Sequence, residues 1–222
     1  SRGQGLTPCM NLLIFDLDGT LIDSKLDLVH AVNATRANMG LTELPHAVVF
    51  SYVGNGAPTL IRRSLGSGAS EAQVQEGLDF FLAYYRDHML DHTTLYPGVT
   101  ETLDTLLENG KRMAVLTNKP VRISKAILSG LGLEKHFFQV YGGNSFEQKK
   151  PHPIGIQTLL SEAGMVADNA MMIGDSAVDI QTARNAGIKA CGVTYGFQPE
   201  SLAADPPDFL IDRFADLSAI AG

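Results

Sequence analysis

A doubly wound parallel α/β sheet carrying an all-helical insertion is the fold class this sequence predicts, and three observations carry the prediction. Short apolar runs, each about one strand long, recur along the 222 residues. From residue 94 onward these runs alternate with helical patterns, as βαβ crossovers require. Between residues 24 and 94 the alternation stops and only helical periodicity is found.

The first run, 11–15 (NLLIF), ends at Asp16. The next, 112–116 (RMAVL), ends at Thr117. A third, 137–141, ends at Gly142-Gly143, and a fourth, 170–173 (AMMI), at Gly174-Asp175. Residues 190–194 stop before Tyr195-Gly196, and 208–211 make a sixth strand at the edge. Unbroken apolar runs suit strands covered on both faces. Between them, Val99, Leu103, Leu106 and Leu107 share a helical face stopped by Gly110. Ile123, Ile127, Leu128 and Leu131 share another. Pro153 suits a first helical turn, with Ile156, Leu159 and Leu160 following before Gly164. The Ala-rich stretch 176–186 ends at Gly187. Inside the insertion, Leu28, Val32 and Met39 precede a stop at Gly40, and Val74, Leu78, Phe81, Tyr85 and Met89 mark a long helix. The expected parts are a Rossmann-like core (10–23 and 95–222), a helical cap (24–94) and an N-terminal extension (1–9).

Composition narrows the function. Apolar residues make up 45% and charged residues 18%, an ordinary globular mix that can bury a core without metal or disulfide staples. The net charge of -7 disfavours a nucleic-acid binder or a polybasic membrane-surface protein. No apolar stretch approaches the roughly 20 residues of a membrane helix. Cys9 and Cys191 are far apart and form no CxxC pair, which points to reduced thiols and the cytoplasm. The six histidines show no HExxH-type spacing, and no GxxxxGK[ST], GxGxxG or GxSxG motif is present.

In an open parallel sheet, ligands bind outside the carboxyl ends of the strands. Those ends carry Asp16-Leu17-Asp18-Gly19-Thr20, Thr117-Asn118-Lys119 and Gly174-Asp175-Ser176 with Asp179; a later loop adds Lys149-Lys150-Pro151. Taken singly, each has a plainer reading: a turn, a helix cap, a pair of solvated lysines. Four in order, each beyond its strand, point to one site. Asp16, Asp18, Asp175 and Asp179 gathered at one sheet edge would raise each other's pKa unless something offset the charge. A hard divalent cation with oxygen ligands does so, and magnesium suits few carboxylates plus water and phosphate. A carboxylate can attack phosphorus, a second acid can serve the leaving oxygen, and a lysine and a hydroxyl can hold the phosphate. Gly54-Asn55-Gly56 is either a plain turn or a flexible loop presenting its backbone to a phosphate.

These residues resemble the haloacid dehalogenase superfamily. FDLDGTLIDS (15–24), LTNKP (116–120), KKPHP (149–153) and IGDSAVDIQTARNAG (173–187) match its four motifs, and the likeness runs from Leu12 to the C-terminus. The resemblance implies Asp16 as nucleophile and magnesium ligand, and Asp18 as general acid and base whose carbonyl also ligates the metal. Asp175 is implied as the third ligand, with Asp179 behind it orienting Lys150 or a metal-bound water. Thr117, the Asn118 backbone and Lys150 would hold the phosphate, and Thr20 would help fix the Asp18 loop. Dehalogenases of this superfamily lack the second acid, and sugar phosphomutases often carry Val where this chain has Thr20, which favours a phosphatase. YVGNGA (52–57), LYPGV (95–99) and GVTYGF (192–197) resemble its phosphoglycolate phosphatase branch, implying 2-phosphoglycolate as substrate, with Gly54, Asn55 and Gly56 dipping toward it. Alternatives are a phosphatase for a sugar phosphate or pyrophosphate, a sugar phosphomutase and, last, a non-enzymatic binding protein. The partner would be a small phosphorylated metabolite, acted on by a monomer or homodimer.

Overall fold

The computed structural model describes residues 9–222; positions 1–8 of the expected N-terminal extension lie outside the described residues. Its main sheet has six parallel strands: β1 (Leu12–Phe15), β4 (Arg112–Leu116), β5 (Gln139–Tyr141), β6 (Ala170–Gly174), β7 (Lys189–Val193) and β8 (Phe209–Ile211). They lie in the order β5-β4-β1-β6-β7-β8, so the chain winds outward from β1 in one direction and then in the other. The point of reversal lies beside β1, where an open sheet places its ligand crevice. Register is tight there, with Phe15 beside Val115 on one side and Ile173 on the other.

Successive side chains of β1 point to opposite faces, and both faces are covered. Leu12 and Ile14 pack with Leu116, Met172, Ile156 and Leu159 under α7 (Ile154–Ala163) and α8 (Ala177–Ala186). Leu13 and Phe15 pack with Val115, Ile173, Leu103 and Ile127 under α5 (Val99–Glu108), α6 (Val121–Gly130) and the short α9 (Leu217–Ala221). All four β1 side chains are fully buried, which is why the run reads as apolar without alternation.

The insertion is helical as expected: α1 (Lys25–Asn38), α2 (His46–Ser51), α3 (Ala57–Leu65) and α4 (Glu71–His88). Helix α4 starts at a capping box, in which Gln73 N donates to Ser70 Oγ and Ser70 N to Gln73 Oε1. Two details differ from the sequence reading. The strand expected at 137–141 begins only at Gln139, because residues 134–136 form a 3-10 turn that buries His136 against Asp104 at 2.6 Å. The insertion is also closed at its base by a small antiparallel pair, β2 (Ile22–Asp23) with β3 (Thr94–Leu95), which two-residue strands leave no periodicity to reveal. Among the described residues no helix is long and apolar enough to cross a membrane.

One buried carboxylate fastens that base. Asp27, on α1, accepts from the backbone N–H groups of His92 and Thr93 at 2.9 and 2.8 Å and from the Thr93 hydroxyl at 2.7 Å. Burial alone would raise its pKa, but these donors outweigh it and hold the carboxyl below the usual range. Replacing Asp27 by Ala leaves buried donors unpaired. It is expected to cost about 1–3 kcal/mol in a urea titration and to speed amide exchange at 92 and 93. The wild-type contribution is present above the unfolded carboxyl pKa, about 3.9, and is lost as pH falls through the lower folded value.

Candidate active site

β1 delivers Asp16 to the sheet edge, and Asp16 N donates to Ile173 O at 3.0 Å, keeping β1 in step with β6. The chain then folds into a turn in which Leu17 O accepts from the N–H groups of Thr20 and Leu21 at 3.2 and 3.0 Å. Gly19 in that turn has φ +81, and a Cβ there would lie 2.2 Å from Asp175 Oδ2. At the end of β6, a Cβ on Gly174 would lie 2.2 Å from the Asp179 carboxyl carbon. The two glycines let the loops nest, and one oxygen each from Asp16, Asp175 and Asp179 falls within 4.8 Å of the others.

Lys150 is the counter-charge. Its ammonium is 2.7 Å from Asp179 Oδ1 and 3.1 Å from Asp16 Oδ1, and it is buried. Burial would lower the lysine, but Asp16 and Asp179 outweigh it and hold it above its usual value. The carboxylates remain under-compensated. Burial first, then Asp179, push Asp16 well above the usual range despite Lys150. The same two causes, in the same order, push Asp175 up to about 7.

The donor set fits a hard divalent cation. Asp179 is engaged at both oxygens, one by Lys150 and the other by Asp175 N and Ser176 N at 3.1 and 3.3 Å. Asp175 Oδ2 accepts from Phe197 N at 2.8 Å, and Asp16 Oδ1 from Leu17 N at 2.8 Å. Asp175 Oδ1 and Asp16 Oδ2 have no hydrogen-bond partner among the described residues. Two under-compensated carboxylates that line the pocket thus each keep an oxygen without a hydrogen-bond partner, an arrangement that favours a cation.

The other sequence-expected residues gather around this centre. Asn118 donates to Lys150 O at 3.0 Å and accepts from Lys150 N at 3.0 Å, so it fixes the lysine through its backbone. The same amide donates to Gly54 O at 3.0 Å, reaching the insertion. Thr117 lines the pocket, its hydroxyl accepting from Lys119 N at 3.1 Å. Gly54 and Gly56 line the pocket and Asn55 does not; its side chain accepts from Arg63 at 3.1 Å and its carbonyl from Lys149 at 2.5 Å. Thr20 is buried and braces the turn through its carbonyl, which accepts from Tyr195 at 2.7 Å; its hydroxyl has no partner among the described residues.

Asp18 brings in residues that the sequence reading did not single out. Its carboxylate accepts from Ser24 at 2.5 Å and from the buried Lys119 at 2.8 Å, and Lys119 also donates to the Tyr85 hydroxyl at 2.5 Å. Burial would lower Lys119, but Asp18 and Tyr85 hold it above its usual value; burial pushes the Tyr85 phenol up to about 12. Ser24 and Lys119 stand inside the quoted motifs, whereas Tyr85 lies in a stripe that reads as helix core. Phe81, Leu60 and Leu28 complete an apolar wall facing the carboxylates.

A family model described as haloacid dehalogenase-like hydrolase matches residues 13–193. The chain is 37% identical to a phosphoglycolate phosphatase of Haemophilus influenzae, covering 94% of this chain and 97% of that one. It is 39% identical to a phosphoglycolate phosphatase of Vibrio parahaemolyticus, covering 94% of each. A crystal structure described as a predicted phosphoglycolate phosphatase of Haemophilus somnus superposes with a TM-score of 0.91 at 32% identity, covering 96% of this chain and 98% of that one.

Removing the counter-charge should have a pH signature. In Lys150→Met, Asp16 loses its counter-charge, so its folded pKa, already raised by burial and by Asp179, rises further above the unfolded one. The folded state then binds more protons than the unfolded state, and its stability falls as pH rises. Without divalent cations, urea midpoints should show a deficit of about 3–5 kcal/mol near neutral pH that shrinks toward about pH 4.5.

Proposed function

The chain belongs to the haloacid dehalogenase-like hydrolases, and on that premise we propose that it is a magnesium-dependent phosphatase. It would convert 2-phosphoglycolate to glycolate and phosphate in the cytoplasm. The observation that carries this reading is Asp16 itself: a carboxylate at the head of the central strand, lining the pocket, with one oxygen held by Leu17 N and Lys150 and the other left open. The substrate name rests on the curated relatives, which are phosphoglycolate phosphatases at 37–39% identity over nearly the whole chain.

In this mechanism the Asp16 carboxylate attacks phosphorus. The Asp16 oxygen–phosphorus bond forms, the ester oxygen–phosphorus bond breaks, and Asp18 gives its proton to the departing glycolate oxygen. Water then attacks the aspartyl phosphate, Asp18 takes the water proton, and Asp16 is released with inorganic phosphate. Lys150, the Thr117 hydroxyl and the Asn118 backbone hold the phosphate oxygens, and Asp179 keeps Lys150 aimed at them. Asp16, Asp175 and the Asp18 carbonyl would hold magnesium, which when bound supplies the positive charge that these carboxylates and the phosphate lack. We take 24–94 as a cap that opens for substrate and closes to exclude bulk water, with the Gly54-Asn55-Gly56 loop at its lip.

Phosphate release from 2-phosphoglycolate, sugar phosphates, nucleotides and pyrophosphate, with and without magnesium, tests this directly. The expected result is magnesium-dependent release with kcat/KM highest for 2-phosphoglycolate. Asp16→Asn keeps the shape and removes the nucleophilic charge, so kcat should fall by about a thousandfold or more with an unchanged circular dichroism spectrum. Wild-type turnover in the folded variant would overturn the covalent route.

A further inference from the structure

Lys119 is the one cationic side chain among the described residues that line the pocket, and the hydrolysis above gives it no task. An ammonium has three N–H donors. Asp18 takes one and Tyr85 another, and no third acceptor is found among the described residues. Tyr85 accepts from Lys119, so its own O–H proton must point elsewhere, and no described residue accepts it. Two donors therefore stand side by side at the pocket wall, both on buried residues, and buried donors are costly to leave unpaired. Around them the wall is apolar, with Leu28, Leu60, Phe81 and Ile123. Those four side chains offer no hydrogen bond to the hydroxyls of a sugar.

We propose that Lys119 and Tyr85 form an anion subsite for a carboxylate on the leaving group, selecting phosphate esters of short 2-hydroxy acids. This rests on the phosphatase reading and deepens it. Asp18 must reach the ester oxygen in order to protonate it, and Lys119 touches Asp18 at 2.8 Å. In a phosphorylated 2-hydroxy acid a single carbon separates the ester oxygen from the carboxylate. Two adjacent protein groups thus face two adjacent substrate groups. Lengthening the acid by one methylene moves its charge off the pair, and replacing the carboxylate by an alcohol removes the charged acceptor for the two free donors. Tyr85 belongs to α4 in the insertion and Lys119 follows β4 in the core, so the subsite is complete only when the two parts are together. A substrate carboxylate bound there favours the closed arrangement and raises kcat as well as lowering KM.

The test compares kcat/KM for 2-phosphoglycolate, 2-hydroxyethyl phosphate and 3-phosphooxypropanoate in wild type, Lys119→Met, Lys119→Arg and Tyr85→Phe. Wild type should prefer 2-phosphoglycolate over the alcohol analogue by about a hundredfold or more, because a site built for a hydrogen-bonding group rejects the analogue lacking it. In Lys119→Met that ratio should collapse to below about tenfold, with Lys119→Arg recovering part of it. Tyr85→Phe, which keeps the ring and the Lys119–Asp18 contact, should lower the ratio by about tenfold. An equal loss on all three esters in Lys119→Met would mean that Lys119 acts only through Asp18, and would overturn the subsite. If that variant does not fold, an unchanged ratio in Tyr85→Phe overturns it, as does a wild type without preference for the carboxylate. No release from any ester by wild type would instead sink the phosphatase reading on which the subsite rests, and the subsite with it.

Discussion

The Lys150 ammonium lies between Asp179 at 2.7 Å and Asp16 at 3.1 Å, and among the described residues no other cation reaches both. Around that contact three carboxylates share one strand-end crevice, each at least partly withdrawn from water. Such a cluster is unstable by construction, since burial and mutual repulsion both favour the protonated forms. The surrounding structure is arranged to hold it. Asn118 grips the Lys150 backbone from both sides, Phe197 N caps Asp175, and Gly19 and Gly174 are bare so that the acids can approach. On the reading proposed above, the negative charge left over would draw a cation to the site, and the cation would in turn offset the charge of a phosphate. A fully neutralised cluster would be more stable and would have no reason to bind a cation.

The sheet supplies the rigidity this requires. β1 is central, buried on both faces and hydrogen-bonded on both edges, so Asp16 has little freedom beyond its own side-chain torsions. β4 and β6 flank it and aim Thr117 and Asp175 from either side. Catalytic groups carried at the ends of neighbouring core strands hold their mutual geometry better than groups carried on long loops.

Most of this was legible in the sequence because the same residues that build the sheet announce where it ends. An apolar run closed by Asp16, and another closed by Gly174-Asp175, give strand, edge and chemistry together. The Lys119–Tyr85 contact was not legible for the opposite reason. Tyr85 sits at helical spacing from Phe81 and Leu78, and a stripe of that kind reads as core whether its far end meets apolar atoms or a lysine. The β2–β3 pair and the 3-10 turn at 134–136 are too short to set up any period. Asp27 gives no sign in sequence that its partners lie at residues 92 and 93, because loop closure over that distance leaves no local pattern.

The contacts that hold the insertion against the core also divide by kind. Asn118 donates to Gly54 O, Gln198 to Val53 O at 2.7 Å, and Lys149 to Asn55 O. These three reach backbone carbonyls, which every residue type provides, so closure through them is indifferent to the side chains of the insertion. Lys119 to Tyr85 differs from them in joining two side chains across the same boundary. Substituting Val53 or Asn55 would therefore leave the docking contacts in place, whereas substituting Tyr85 changes what the pocket offers a substrate. On the readings proposed above, chemistry at the strand ends and choice of substrate would be carried by separate sets of residues, and Lys119, bound to Asp18 on one side and Tyr85 on the other, is where the two sets touch.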